Sequence, residues 1–455
     1  MSKLIEQPRF SCALAAQTTV LAIPRALPII HAGPGCASKT FRFLSDTCGH
    51  QGEGYGGGGQ ISSTNTGQKE VVFGGENKLR TLTENALKVL DADLFVILSG
   101  CTSGIIGDDV VAVANKFRKE GKPVVGAETS GFTGNNYHGH ELIVNSIIEQ
   151  YVDQFFQNGK PEIQKGLVNV FSVVPNQDPF WRGDLEEIKR ILTKLGLTVN
   201  ILFGTESSGV EEWQKIPTAE FNILLSPWCG LKNVELLKKK YGTPYFHFPY
   251  LPVGGKATSL FINQLADFAK LDSKKVSAVL KDEEERFYHY IVGLSDFISD
   301  YRTNLPNDLF VVADSEYALG VSDYLVNELG LQPKGIFIDD NPPSDEIKNQ
   351  ILEYAEKIGS GIKNVIHFEA DGGRIQQKLS ELIGNSKKAI VFGSAWERIL
   401  SEKHNNIFLH LSMPILNDVI LTKSYAGYKG GLKLTEELYS SIFYRETISK
   451  GVQTL

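Results

Sequence analysis

Three cysteines stand in settings suited to holding a bulky inorganic group. Cys12 lies in RFSCALAAQ, Cys36 in IIHAGPGCAS after an apolar run and a Gly-Pro-Gly turn, and Cys101 in LFVILSGCTSGIIGDD at the carboxyl end of an apolar strand. Thiolate is the usual protein ligand of iron–sulfur clusters, and open α/β sheets gather ligands outside the carboxyl ends of their strands. Gly33, Gly35 and Gly100, with Ala13 and Ala37 beside the thiols, leave room against the backbone. The competing expectation is that each cysteine is a small buried hydrophobe, as free cysteine commonly is. Gaps of 24 and 65 residues make no local ligand motif, and the short Cys-to-Cys spacing of zinc sites is absent. Three thiolates also leave a cluster short of a fourth ligand, which another residue or a second chain must supply.

Other residues invite chemistry less strongly. Asp108 and Asp109 follow Gly107 and suit a helix N-terminus, where carboxylates oppose the macrodipole. His138 and His140 in NNYHGHE have a spacing that a metal could use, but no third ligand stands nearby. Cys48, in a polar segment after Asp46 and Thr47, is expected to be unliganded. A formal G-x-G-x-x-G at Gly54, Gly56 and Gly59 has no preceding strand and is followed by ISSTNTG, so it reads as a loop and not a dinucleotide fingerprint. Pro252–Thr258, PVGGKAT, lacks the pattern of a phosphate-binding P-loop.

The elements that must position these residues alternate. Apolar runs at Leu94–Leu98, Val168–Val174, Val199–Phe203, Asn222–Leu225, Leu309–Ala313, Gly335–Asp339, Asn364–Phe368, Ala389–Phe392 and Ile407–Leu411 read as strands. Amphipathic stretches at Leu185–Leu195, Val234–Tyr241, Val321–Leu329 and Glu346–Ile358 read as helices between them. This alternation predicts an α/β fold with mostly parallel sheets covered on both faces. Three Rossmann-like domains are expected: 1–165 carrying the cluster cysteines, 166–305, and 306–455. The polar stretch Phe156–Lys165 ends the first, and a long charged helical connection over Asp272–Ile298 leads toward the third.

Composition bounds the function. At about 100–200 residues per domain, 455 residues suggest two to four domains. A net charge of −7, from 46 basic and 53 acidic residues, disfavours non-specific nucleic-acid or anionic-lipid binding. No stretch approaches the roughly 18 apolar residues of a membrane span. The N-terminus MSKLIEQPRF has no apolar h-region, so a cytoplasmic chain without signal peptide is expected.

The runs VVFGGENKLRTLTENAL (Val71–Leu87), SGCTSGIIGDDVVAVA (Ser99–Ala114) and HAGPGC (His31–Cys36) closely resemble nitrogenase component 1 and its relatives. LLSPWCGLKNVELLKKKYGTPYFHFPYLPVG (Leu224–Gly254) and SYAGYKGGLKLTEELYSSI (Ser424–Ile442) resemble its β-type subunit, and the likeness covers essentially the whole chain. The resemblance implies that Cys12, Cys36 and Cys101 are cofactor-binding metal ligands. They would hold an interface iron–sulfur cluster, an eight-iron P-cluster, with a four-iron cluster as the smaller form, whose remaining ligands come from an α-type partner in an α2β2 complex. It further implies electrons from an ATP-hydrolysing homodimeric iron protein and a catalytic iron–sulfur cofactor in the partner chain. No catalytic residue is expected in this chain.

Within the family, the chain resembles a β-type subunit of a nitrogenase or of a nitrogenase-like reductase such as the methylthio-alkane reductase type. A scaffold for iron–sulfur cofactor maturation is the alternative, and a tetrapyrrole-reducing relative a third. Where the molybdenum-iron β subunit has a serine near its P-cluster, TSGFTG places Gly131, with Ser130 adjacent. Cys229 falls near the place of the α-type cofactor cysteine, but no histidine follows in the last 45 residues. His410, the nearest, reads as a satisfied core histidine, and Cys229 as a buried structural thiol.

Overall fold

The computed structural model describes residues 10–38, 48–49, 61–156, 161–295, 306, 308–384 and 388–449; the glycine-rich segment 52–59 lies outside them. Three parallel sheets carry the fold. The first contains β1 (Ala26–His31), β2 (Ser62–Ser63), β3 (Leu94–Ser99) and β4 (Val124–Ala127), in the order β2-β1-β3-β4. The second contains β5 (Gln164–Phe171), β6 (Thr198–Asn200), β7 (Ala219–Leu224) and β8 (Tyr245–His247), in the order β6-β5-β7-β8. The third contains β9 (Asp308–Ala313), β10 (Gln332–Ile338), β11 (Ile366–Phe368), β12 (Ala389–Gly393) and β13 (Ile407–His410), in the order β11-β10-β9-β12-β13.

One winding rule recurs. Each sheet begins on an inner strand, grows to one side, then crosses back and grows to the other. Each therefore has a switch point where the winding direction reverses: between β1 and β3, between β5 and β7, and between β9 and β12. Crevices open at the carboxyl ends of the strands there. The inner strands are continuous apolar runs because helices cover both faces; every residue of β1 and β3 is buried.

The α/β class agrees with the sequence, and the differences have local causes. β1 carries Pro28, which donates nothing to the ladder, yet pairs in register with Val96. β4 is short and holds Gly126, where a Cβ would sit 2.7 Å from the Val110 carbonyl oxygen of the covering helix. β2 and β8 have two and three residues, too few for a periodic signal. Helix Ser315–Asn327 starts earlier than expected because the Asp314 carboxylate accepts the Glu316 and Tyr317 N–H groups. The charged connection forms helix Ser273–Gly293, capped by Asp272. The last helix, Gly427–Ser449, leaves the third sheet and packs on helices Gly254–Ala269 and Ser273–Gly293. Among the described residues no helix is long and apolar enough to cross a membrane.

One contact fixes the N-terminal segment. Helix Asn136–Ile147 packs on the 3-10 turn Ala13–Ala16. At Gly139 a Cβ would lie 2.2 Å from the Ala13 carbonyl oxygen. Gly139→Ala should therefore push the Cys12 segment off this helix at an overpacking cost of about 1–3 kcal/mol. A lowered denaturant midpoint in chemical unfolding checks this.

Candidate functional site

Two of the three singled-out thiols meet at one glycine. Cys36 follows β1, in the helical turn 34–38, and Cys101 opens helix Cys101–Ile106 directly after β3 and Gly100. β1 and β3 pair in register to their last residues, His31 opposite Ser99. Both cysteines therefore lie at the switch point of the first sheet. Beyond β4 the loop reaches Gly131, whose N–H donates to the Cys101 Sγ at 3.3 Å. A Cβ at Gly131 would meet that sulfur at 2.9 Å and the Cys12 Cβ at 3.3 Å.

Cys12 reaches this place through backbone pairing. It bridges antiparallel to Asn135; the Ala13 N–H donates to the Gly134 carbonyl at 3.0 Å, and the Asn136 N–H to the Ser11 carbonyl at 3.0 Å. Cys36 is tied to the same segment, its carbonyl accepting from Gln17 Nε2 at 3.4 Å. Among the described residues nothing lies within 4 Å of a Cβ position at Gly35, so they leave room beside this loop. Cys12 is exposed, and Cys36 and Cys101 are partly exposed.

The loops are locked from behind. The Ser103 hydroxyl donates to the His31 carbonyl at 2.6 Å and accepts the Gly100 N–H at 3.0 Å, joining the end of β1 to the helix that starts with Cys101. At Gly100 a Cβ would strike the Ala32 Cβ at 2.4 Å, so only glycine allows the two strand ends to approach. The Asp108 carboxylate accepts the Gly75 N–H with both oxygens, at 3.0 and 2.9 Å, and bonds His31 Nε2 at 2.9 Å; Thr64 Oγ1 lies 3.1 Å from His31 Nδ1. Burial pushes the His31 pKa down, with Asp108 acting against it. Of the acidic pair, Asp109 caps helix Val110–Lys119 through the Ala112 N–H, as expected, whereas Asp108 turns back to His31.

An apolar surface flanks the thiols. Helix Gln68–Phe73 packs on helix Cys101–Ile106. Val72 is 70%, Phe73 81% and Ile105 71% exposed, and Phe132, next to Gly131, is 69% exposed. Sequence reasoning did not single out this surface, the His31–Asp108 pair or the Gly131 N–H. The signal for the first was present: Val71, Val72 and Phe73 form an apolar triplet just before Gly74 and Gly75.

The remaining residues lie elsewhere. Cys48 is buried, and its thiol donates to the Asn176 carbonyl at 2.7 Å. His140 is buried against Thr19, with its Nδ1 2.9 Å from the hydroxyl. His138 is only partly buried on the same helix, and among the described residues no three His, Cys, Asp or Glu side chains, Cys12, Cys36 and Cys101 included, converge closely enough to hold a single metal ion. His410 corrects its expectation: it is buried and edge-on to Phe408, yet among the described residues neither ring nitrogen has a hydrogen-bond partner. Burial lowers its pKa to about 4, which keeps the ring neutral.

Cys229 follows β7, at the switch point of the second sheet. The residue is partly exposed rather than fully buried as expected; its Sγ lies 3.9 Å from the Tyr137 carbonyl, and desolvation of the thiol, with Glu141 next, pushes its pKa well up. The space around it is built up with side chains. Trp228 packs on Tyr137 with ring centroids 5.8 Å apart and donates to Asp340 at 2.9 Å. Asn135 donates to the Asp340 carbonyl at 2.9 Å, and the Tyr317 hydroxyl to Asp184.

Two outcomes follow from these contacts. Asp108→Ala would strand the Gly75 N–H and His31 Nε2 at a cost of about 1–3 kcal/mol for each buried donor, read as loss of unfolding free energy in denaturant. The His140 pKa is lowered by burial from 6.5 to about 3. The folded state therefore favours the neutral ring, so this stability is present above pH 6.5 and is lost as pH falls toward 3. Denaturant midpoints across that range should fall less steeply with acidification in His140→Gln than in the unaltered protein.

The sequence pattern of the family described as Nitrogenase component 1 type Oxidoreductase matches residues 11–443. The chain is 23% identical to the nitrogenase molybdenum-iron protein beta chain of Bradyrhizobium diazoefficiens, over 94% of this chain and 82% of that one. It is 23% identical to the nitrogenase iron-iron protein beta chain of Rhodobacter capsulatus, over 96% and 93%. Among solved structures, nitrogenase Cp1 at pH 6.5 superposes with a TM-score of 0.78 at 19% identity, covering 98% of this chain and 94% of that one.

Proposed function

The chain belongs to the nitrogenase component 1 type oxidoreductase family as a β-type subunit, and we propose that Cys12, Cys36 and Cys101 bind an iron–sulfur cluster at its interface with an α-type partner. The chain is thus an oxidoreductase subunit of a nitrogenase-like complex. The observation that carries the proposal is the meeting of Cys12 and Cys101 at Gly131, with Cys36 on the neighbouring loop of the same switch point.

The site fits such a group. Thiolates are its usual ligands, and these thiols are open to one side while their loops are fixed from behind. Among the described residues, the missing Cβ at Gly131 and the space at Gly35 leave room beside the sulfurs. An eight-iron P-cluster matches three thiolates from each of two chains. When bound, it supplies one-electron relay between an ATP-hydrolysing homodimeric iron protein and a catalytic iron–sulfur cofactor. The chain's own part is positional: Ser103 and Asp108 hold the two strand ends together, and the Cys12 segment closes over them.

The apolar surface of Val72, Phe73, Ile105 and Phe132 supports a covering α-type chain in an α2β2 assembly. A cluster with three ligands on a wet face would be incomplete, and exposed apolar patches of this kind mark interaction sites. The substrate-reducing cofactor is assigned to that partner, because the crevice around Cys229 is occupied by Tyr137, Trp228 and Asp340.

The test is iron content of the complex purified with its partner. Cys101→Ala, Cys12→Ala and Cys36→Ala should each lose cluster iron or break the complex. Cys48→Ala should keep its iron, and Cys229→Ser should retain both iron and substrate reduction. Full iron in all three of the first variants would overturn the proposal.

A further inference from the structure

Gly131 does more than leave space. Its N–H donates to the Cys101 sulfur at 3.3 Å, and the loop that aims it is tightly held. The Thr129 N–H donates to the Ser99 hydroxyl at 2.9 Å, and the Thr129 hydroxyl to the Ser99 carbonyl at 3.0 Å, fastening the loop to the end of β3. On the far side, the Thr133 N–H and hydroxyl both donate to the Ser130 carbonyl, at 3.0 and 2.8 Å. The donor is therefore set before any ligand arrives. A side chain at this residue would press on the cysteines, its Cβ 2.9 Å from the Cys101 Sγ and 3.3 Å from the Cys12 Cβ.

We propose that Gly131 is a tuning and positioning residue: its main-chain N–H hydrogen-bonds the Cys101 thiolate and raises the reduction potential of the group bound there, and position 131 must lack a side chain for that bond to form. The inference rests on the reading of Cys101 as a metal ligand. Its physical basis is general. Reduction adds negative charge to a thiolate-held iron centre, and an N–H dipole pointed at the sulfur stabilises the more negative state. Hydrogen bonds to ligand sulfur are among the protein's main controls of such potentials. A fixed backbone donor does this without reorganising, because Thr129 and Thr133 hold it.

The Cβ of Gly131→Ala cannot be accommodated without moving either the loop or the Cys101 sulfur, since contacts below about 3 Å between such atoms force a shift. The N–H···S bond then lengthens. In the complex with its partner, redox titration followed by EPR should show the cluster of Gly131→Ala shifted to lower potential with its iron retained. A potential equal to that of the unaltered complex, with iron retained, overturns the proposal. If the variant loses its iron, the unaltered complex decides: after exchange into D2O, pulsed ENDOR of a paramagnetic state should lose one strongly coupled proton, and absence of any exchangeable coupling overturns the proposal. Iron retained in Cys101→Ala would instead refute the ligand reading itself, so the two failures are distinguishable.

Discussion

Everything at the site depends on the parallel register of β1, β3 and β4. Parallel strands carry their carboxyl ends to one edge, and here three successive chain segments leave that edge within a few residues of each other. His31 lies opposite Ser99, and Leu98 opposite Ala127. Cys36, Cys101 and Gly131 follow within a handful of residues. A shift of one residue in either pairing would turn the strand faces over and move these loops apart. The register is held at its carboxyl end by the Gly100 N–H bonded to the His31 carbonyl and by the Ser103 hydroxyl between the two strand ends.

That register would be wasted if the loops were free. Two polar contacts hold them: the Ser103 hydroxyl between the strand ends, and the Asp108 carboxylate between His31 and Gly75. Both are buried, so each bond removes donors that would otherwise be stranded. Neither touches a thiol sulfur. The site thus separates rigid support on the inside from ligands left open on the outside, where a second chain has to finish the job.

The same winding repeated three times has a second consequence. Asn135 and Tyr137, at the start of helix Asn136–Ile147, contact residues after β7 and β10, and acidic side chains collect nearby. Burial raises the Asp184 pKa to about 6 and that of Asp314 to about 7, and pushes those of Asp178 and Glu316 well up. Backbone N–H groups and hydroxyls bond both Asp184 oxygens and one oxygen each of Asp178 and Asp314, and Trp228 and Ser315 bond one oxygen of the neighbouring Asp340. The crevice that an α/β fold leaves for ligands is closed here by this chain's own side chains, while the crevice of the first sheet stays open to the surface.

By itself the sequence determined the class of the fold and the residues worth watching. Strands such as Leu94–Ser99 and Asp308–Ala313 announce themselves because burial on both faces demands unbroken apolar runs, and Cys101 after Ser99 and Gly100 carries its strand-end address in the local pattern. β6, β11 and β13 are as short as β2, β4 and β8 yet legible as apolar runs, whereas the proline inside β1, the glycine inside β4 and the polar residues of β2 and β8 hid those four. Only the tertiary structure decided which distant residues meet. Nothing local in TSGFTG says that the Gly131 N–H faces Cys101, nor in GDD that Asp108 turns to His31 while Asp109 caps a helix. Nor does FLHLS say that His410 is buried with no hydrogen-bond partner among the described residues. Those outcomes depend on sheet register and on glycines that let segments far apart in sequence approach, and such information resides in pairs of positions that no single stretch of chain contains.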